Sequence, residues 1–287
     1  MTAHPALEAG RTAVITGGAS GIGLAAAKRF ASFGMRIAIA DLDPAALDRA
    51  AAAIAAAGPG GTAEVLTVAT DVSRKDQVDR LKEAVYARFG EVGILMNNAG
   101  TGPGGGPFDH YERWQHVLGV NLWGVVNGVH AFAPSMIAQG TPALIVNTGS
   151  KQGITCPPGD TAYNVSKAGV KVETEALAHA LRNTEGCRVT AHLLVPGWTF
   201  TALTAGAATE KPAGAWTADQ VVDYFLASLE RGDFYILCPD NDVTREMDAA
   251  RILWAAGDIA ENRPPLSRWH KDHGPAFAAF LKERLGG

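Results

Sequence analysis

Short apolar runs rich in Val, Ile, Leu and Ala alternate with long helix-like stretches, and this alternation constrains the fold more than any other feature. Strands are expected at 12–16, 36–40, 64–68, 92–96, 143–148, 189–195 and 234–238. Most are near-continuous apolar runs, as in parallel strands covered on both faces. Helical stretches are expected at 21–33, 44–57, 75–89, 111–138 and 161–184. The alanine-rich piece at 50–57 fits this reading, because alanine is the best helix former. Pro44 marks a helix start, and Gly34 and Gly58 mark helix ends. Alternating strands and helices imply right-handed crossovers and a doubly wound α/β fold. The expected sheet is mainly parallel and seven-stranded, with helices on both faces. No internal repeat or obvious linker precedes residue 195, so one domain spanning 1–287 is expected.

Composition narrows the partners. Lys and Arg number 25 against 29 Asp and Glu, a formal charge of -4, with no block of like charge. A protein that neutralises many phosphates carries a basic stripe, so nucleic acid is not expected. Cys156, Cys187 and Cys238 are too few and too scattered for a disulfide framework, which fits a reducing compartment. Residues 1–11 lack the apolar core of a secretory signal, and no apolar run approaches the ~20 residues of a membrane helix. The expectation is a cytoplasmic protein that does not engage membranes.

Between the first strand and the first helix stands Thr16-Gly17-Gly18-Ala19-Ser20-Gly21-Ile22-Gly23. Glycines let the backbone turn sharply and approach a pyrophosphate, whose charge the following helix N-terminus favours. A glycine-rich turn alone also serves ordinary turn geometry; its place between strand and helix sharpens the reading. Asp41 ends the second strand. An acid there accepts hydrogen bonds from ribose hydroxyls and repels a 2′-phosphate, and neither Ser20 nor Leu42 supplies a cation for that phosphate. NAD is therefore expected over NADP. A helix cap fits Asp43 better than Asp41. Asp71, before Val72 and Ser73, stays ambiguous between cofactor contact and helix cap.

The glycine spacing is Gly-x-x-x-Gly-x-Gly. With Asn97-Asn98-Ala99-Gly100, Asn121, Ser150, Tyr163-x-x-x-Lys167 and Pro196-Gly197, it resembles the short-chain dehydrogenase/reductase superfamily, over roughly residues 11–201. The resemblance implies a Rossmann-like fold and a nicotinamide cofactor held by Gly17, Ser20, Gly21, Ile22, Gly23, Asp41, Asp71, Val72, Asn98, Ala99 and Gly100. It extends that set to Tyr163, Lys167, Pro196, Gly197, Thr199 and Thr201. It further implies a catalytic set of Asn121, Ser150, Tyr163 and Lys167. In it Tyr163 exchanges the alcohol proton, Ser150 bonds the substrate oxygen, and Asn121 holds a water relaying protons to Lys167.

The chemistry of these residues is consistent with those roles. Tyr163 and Lys167 share a helix face one turn apart. A phenol near pKa 10 is a poor base at neutral pH, and bringing it there requires ~4 kcal/mol of stabilisation. A nearby ammonium and an oxidised nicotinamide both act in that direction. An isolated Tyr-x-x-x-Lys is also compatible with an amphipathic helix and a snorkelling lysine. Ser150, at the carboxyl edge where open α/β sheets bind ligands, favours the catalytic reading.

Several features depart from the family pattern. Gly149 stands where a second serine is common, and Lys151 follows Ser150; it either greets a carboxylated substrate or faces solvent, the second being preferred. Gly102 to Gly106 reads as a pliable wall of the substrate site. Residues 198–216 lack stable periodicity yet hold Trp198, Phe200 and Trp216, which reads as a lid over an apolar or aromatic alcohol or ketone, ordering only with ligand. The alternative is packing of these aromatics against the C-terminal appendage, 258–287, or a partner subunit. His270 and His273 lack a third ligand and sit near Pro264-Pro265, so no metal is expected. The long tail leaves dimer or tetramer open within an expected homo-oligomer. The rival functions are an NADPH-dependent reductase, against which Asp41 speaks, and a nucleotide-binding regulator, which would not need the phenol–ammonium pair.

Overall fold

The computed structural model describes residues 4–206 and 208–286. Seven strands form one parallel sheet: β1 (Thr12–Thr16), β2 (Arg36–Asp41), β3 (Val65–Ala69), β4 (Ile94–Asn97), β5 (Ala143–Thr148), β6 (Val189–Val195) and β7 (Tyr235–Leu237). Their order across the sheet is β3-β2-β1-β4-β5-β6-β7, and every neighbouring pair runs parallel. The strand order therefore reverses between β1 and β4, which opens a crevice beyond their carboxyl ends.

The helices lie on both faces, as the apolar strands require. They are α1 (Gly21–Ser32), α2 (Pro44–Ala57), α3 (Lys75–Phe89), α4 (Tyr111–Leu118), α5 (Gly124–Ala138), the single-turn α6 (Gln152–Thr155), α7 (Thr161–Arg182), the single-turn α8 (Ala202–Ala205), α9 (Ala218–Arg231), α10 (Arg245–Ala260) and α11 (Gly274–Leu285). One core packs Phe30, Leu47, Ile54 and Phe225 against Ile15, Ile37 and Ile39 of the sheet. The other packs Leu81, Val85, Phe132 and Val170 against Val14, Leu95 and Ile145. Successive strand residues feed opposite cores, as a period of two demands. Asp43 caps α2, its carboxylate accepting the Ala45 N–H at 2.9 Å, which leaves Asp41 free for another role.

Three differences from the expected elements bear on function. The single helix expected at 111–138 is interrupted by a π-helical segment at Gly119–Trp123, and the fully buried Asn121 lies inside it. Second, residues 218–231 and 245–260 form helices that the loosening of the pattern after Pro196 conceals. Third, the segment 198–216 is stapled at its base. The Phe200 N–H donates to the Trp216 carbonyl, and the Trp216 N–H to the Trp198 carbonyl, both at 2.8 Å. Beyond it, Trp254 of α10 packs on Phe277 and Phe280 of α11, each ring pair 5.3 Å apart. Among the described residues no helix is long and apolar enough to cross a membrane, and no cluster of three or more His, Cys, Asp or Glu could hold a metal ion.

Candidate active site

A cleft of about 560 Å³ opens at the carboxyl ends of the strands. Of the candidate catalytic, cofactor and substrate residues, all line it except Gly23, Asn121, Phe200 and Trp216; the stretch 102–106, expected as a wall of the substrate site, does not line it either. The cleft begins at the turn from β1 into α1. Gly17 has a φ of +64°, and a β-carbon there would lie 2.8 Å from the Ala99 Cα; one on Gly23 would run into the Gly17 carbonyl oxygen. Both positions therefore need glycine. Ser20 precedes α1 with extended backbone, makes no side-chain cap, and the first turn holds no acid. The leading amides of α1 are left to an anionic ligand, so the residues fit a pyrophosphate.

Asp41 closes the next part of the cleft. Its carboxylate accepts the Ala19 N–H at 3.1 Å and its neighbour Leu42 N–H at 2.8 Å, so it is fixed beside the glycine turn. Leu42 is largely exposed, and among the described residues no Lys or Arg lines the cleft around Asp41 and the glycine turn. Asp71 also borders the cleft, but one of its oxygens accepts both the Ser73 N–H (2.9 Å) and hydroxyl (2.6 Å). It forms a local turn before α3 while keeping the cleft position. The Thr16 hydroxyl receives the Asn98 N–H at 3.0 Å and the Ala99 N–H at 3.2 Å, tying the floor at 98–100 to the glycine turn.

At the far end stand the candidate reacting side chains. Tyr163 and Lys167 project from α7 into the same space, the Lys167 Nζ lying 5.8 Å from the phenol ring centre. Lys167 is buried and donates to the Thr148 carbonyl at 2.8 Å; burial brings its pKa down to about 8. Burial also pushes the Tyr163 phenol up. Hydrogen bonding with Ser150 pulls the other way, and the Asp160 carboxylate adds to the rise. In the protein alone burial thus outweighs the Ser150 hydrogen bond, and the joint stabilisation of phenolate expected from Lys167 and an oxidised nicotinamide would act in the opposite direction. Asp160 caps α7 on the Tyr163 N–H and also accepts the N–H groups of Gly104 (2.9 Å) and Gly105 (3.1 Å). The glycine-rich segment, which stands off the cleft, is thereby fastened to the turn that carries the phenol.

Asn121 sits behind this group. Its amide exchanges hydrogen bonds with the Thr101 N–H (2.8 Å) and carbonyl (3.0 Å) and donates to Ser166 at 3.1 Å. A β-carbon on Gly100 would lie 3.5 Å from its Oδ1 and 3.7 Å from the Lys167 Nζ, so the two side chains face one another across that glycine.

Lys151 does not face solvent, as preferred from sequence. It forms ion pairs with Asp248 at 2.6 Å and Asp240 at 3.3 Å. Only the local sequence is visible before folding, and both partners come from the distant C-terminal region. Phe200 and Trp216 stand off the cleft: Trp216 packs on Tyr224 of α9, 5.8 Å between ring centres, and donates to Asn241 at 3.1 Å. Trp198, nearly half exposed, is the aromatic of this segment that lines the cleft. Sequence reasoning also missed Thr101, His116, Val120, Gln152, Leu203 and Thr204 in the lining. His116 and Val120 are four apart, a helical spacing that marks a shared face but not which cavity it borders.

A cleft at the strand-order reversal, lined by the glycine turn and Asp41 and by Ser150, Tyr163 and Lys167, is that of an oxidoreductase of the doubly wound class. The family model for short chain dehydrogenases matches residues 11–212. The chain is 33% identical over 266 residues to the 1-deoxy-11-beta-hydroxypentalenate dehydrogenase of Streptomyces arenae, covering 90% of this chain and 93% of that protein. A short-chain dehydrogenase/reductase from Burkholderia phymatum, in complex with NAD, is 35% identical, with a TM-score of 0.80 over 92% of this chain and 98% of that one. A metagenomic short-chain oxidoreductase in complex with NADP is 30% identical, TM-score 0.66, over 81% and 98%. This chain belongs to the short-chain dehydrogenase/reductase family, enzymes that act on CH–OH donors with NAD or NADP as acceptor.

Proposed function

We propose that this enzyme is an NAD-dependent oxidoreductase that interconverts an apolar secondary alcohol and its ketone. The observation that carries the cofactor choice is Asp41, fixed by the Ala19 amide in a cleft end without Lys or Arg. A 2′-phosphate there would meet an anion and no counter-charge. Bound NAD supplies a hydride acceptor. The chain itself moves the proton: Tyr163 accepts it from the substrate hydroxyl, Ser150 holds the same oxygen, and the Lys167 ammonium is the adjacent positive charge favouring phenolate. Asn121 keeps the 100–101 backbone and the Lys167 surroundings in place. Val120, Trp198 and Leu203 give the substrate end an apolar lining, which supports an apolar ligand. The relatives named as hydroxypentalenate dehydrogenases support the oxidative direction.

We also propose a single catalytic domain with residues 258–287 as an appendage on α10, and self-association through the α5–α7 face. Three unpaired thiols fit the cytoplasm. The test is a panel of alcohols and ketones followed by nicotinamide absorbance with both cofactors. Turnover should favour NAD by at least ~100-fold in kcat/KM, about 2.7 kcal/mol. Asp41→Ala with Leu42→Arg should shift that ratio toward NADP, and a parent enzyme preferring NADP would overturn the assignment.

A further inference from the structure

Lys151 follows Ser150 directly, yet its charge is already spoken for. Asp248 in the first turn of α10 and Asp240 in the segment after β7 both pair with its ammonium, and the paired side chains are 18% (Lys151) and 6% (each Asp) exposed. The Asp240 oxygen that faces Lys151 also accepts the Trp198 N–H at 3.1 Å. Its other oxygen accepts the Asp242 N–H at 3.1 Å. Gly197 lets these groups meet: a β-carbon there would fall 2.7 Å from the Asp240 Oδ2 and 3.0 Å from the Lys151 Nζ. Four pieces of chain therefore converge on one ammonium: the turn after β5, the Pro196-Gly197-Trp198 turn after β6, the segment after β7 that carries Asp240, and the start of α10.

Two carboxylates around one ammonium leave it no spare charge for an anionic substrate. What they do instead is fix the residues on either side. We infer that Lys151, Asp240 and Asp248 form a buried clamp that positions Ser150 and Trp198 against each other, so that the C-terminal region sets which substrates the cleft accepts. The clamp rests on the placement of substrate at Ser150 proposed above. All three are positioning residues: they act through Ser150 and Trp198.

The experiment compares the parent enzyme with Lys151→Met, Lys151→Arg, Asp240→Asn and Asp248→Asn. The readouts are kcat and KM for matched uncharged and carboxylated alcohols, NADH affinity by fluorescence, and hydrogen exchange of peptides covering 150–156 and 196–200. The clamp predicts that Lys151→Met, Asp240→Asn and Asp248→Asn all raise KM for the uncharged alcohol at least tenfold. NADH affinity should change less than threefold, and Lys151→Arg should return KM to within threefold of the parent. Faster exchange in both peptides should accompany the KM rise. A lower KM for carboxylated alcohols in either Asp variant, with a higher one in Lys151→Met, would instead make Lys151 an anion anchor and overturn the clamp. Unchanged KM in every variant, with only lowered thermal stability, would also overturn it. Should the parent turn over no alcohol in the panel, the function proposed above fails, while the exchange of the two peptides still decides the clamp: unchanged exchange in every variant refutes it. The Asn and Arg variants keep size and polarity, so they report even if Lys151→Met does not fold.

Discussion

Tyr163 shows how one side chain collects opposing influences. Burial and the Asp160 carboxylate hold the phenol in its neutral form, while Ser150 favours the ionised form. Alcohol oxidation needs the phenolate, so the rate should rise with pH through the phenol's pKa. Removing a negative neighbour lowers that pKa, which moves the rising limb to lower pH. Asp160→Asn should therefore speed oxidation at pH 7 by roughly threefold in the limb region, a change of about 0.65 kcal/mol. Asparagine keeps an acceptor for the α7 cap and for the Gly104 and Gly105 amides, so folding should persist. Tyr163→Phe should lose the limb altogether, with kcat/KM down at least ~100-fold. A pH–rate profile of the three proteins checks both expectations; an alkaline displacement in Asp160→Asn would refute the electrostatic account.

At the scale of elements, the sheet was legible because its strands carry apolar residues on both faces and proline or glycine at their boundaries. β1, β5 and β6 lie at their expected positions, whereas β4 starts two residues later and ends one later than expected, and β7 is one residue shorter at each end. The glycine turn, Asp41 and the Tyr163–Lys167 pair were legible for a different reason: each is a local spacing. What escaped depends on distant chain. Asn121, inside the π segment at Gly119–Trp123, bonds Thr101 and Ser166, and Lys151 is buried against Asp240 and Asp248, all partners distant in sequence. The segment 198–216 combines both cases. Its aromatic content was visible, but Trp216 turns to α9 and forms a staple with Trp198 and Phe200 in place of covering the cleft. A lid that moves must then pivot inside the staple. The amides of Phe200 and Trp216 should be protected in the free enzyme, while those of Leu203 and Thr204, at the cleft wall, should gain at least ~10-fold protection with NAD and substrate. Hydrogen exchange resolved by fragmentation measures this; rapid exchange at Phe200 and Trp216 in the free enzyme would dissolve the staple.

At the scale of the whole molecule, an apolar face lies open on the helices away from the cleft. Trp123 is 57% and Val172 61% exposed, and with Leu122, Val126, Val165, Ala168 and Gly169 they line a shallow groove between the π segment, α5 and α7. Glu173 is its one charged member. The groove pairs a projecting indole with the small residues Ala168 and Gly169, which suits an isologous contact: about a two-fold axis, each copy's Trp123 would seat on the other's small residues. A second copy of the chain is therefore the proposed occupant. The same helix α7 carries Tyr163 and Lys167 on its cleft side, so association would brace the catalytic face from behind. Light scattering after size exclusion should give at least twice the 29.9 kDa of one chain. Trp123→Glu with Val172→Glu places two carboxylates where apolar surface would be buried, and should shift the mass toward one chain at micromolar concentration. Because neither side chain lines the catalytic cleft, NADH affinity should stay within about threefold while association weakens at least ~100-fold, about 2.7 kcal/mol. A parent protein of single-chain mass, or a doubly substituted protein of unchanged oligomeric mass, would refute this face as the contact.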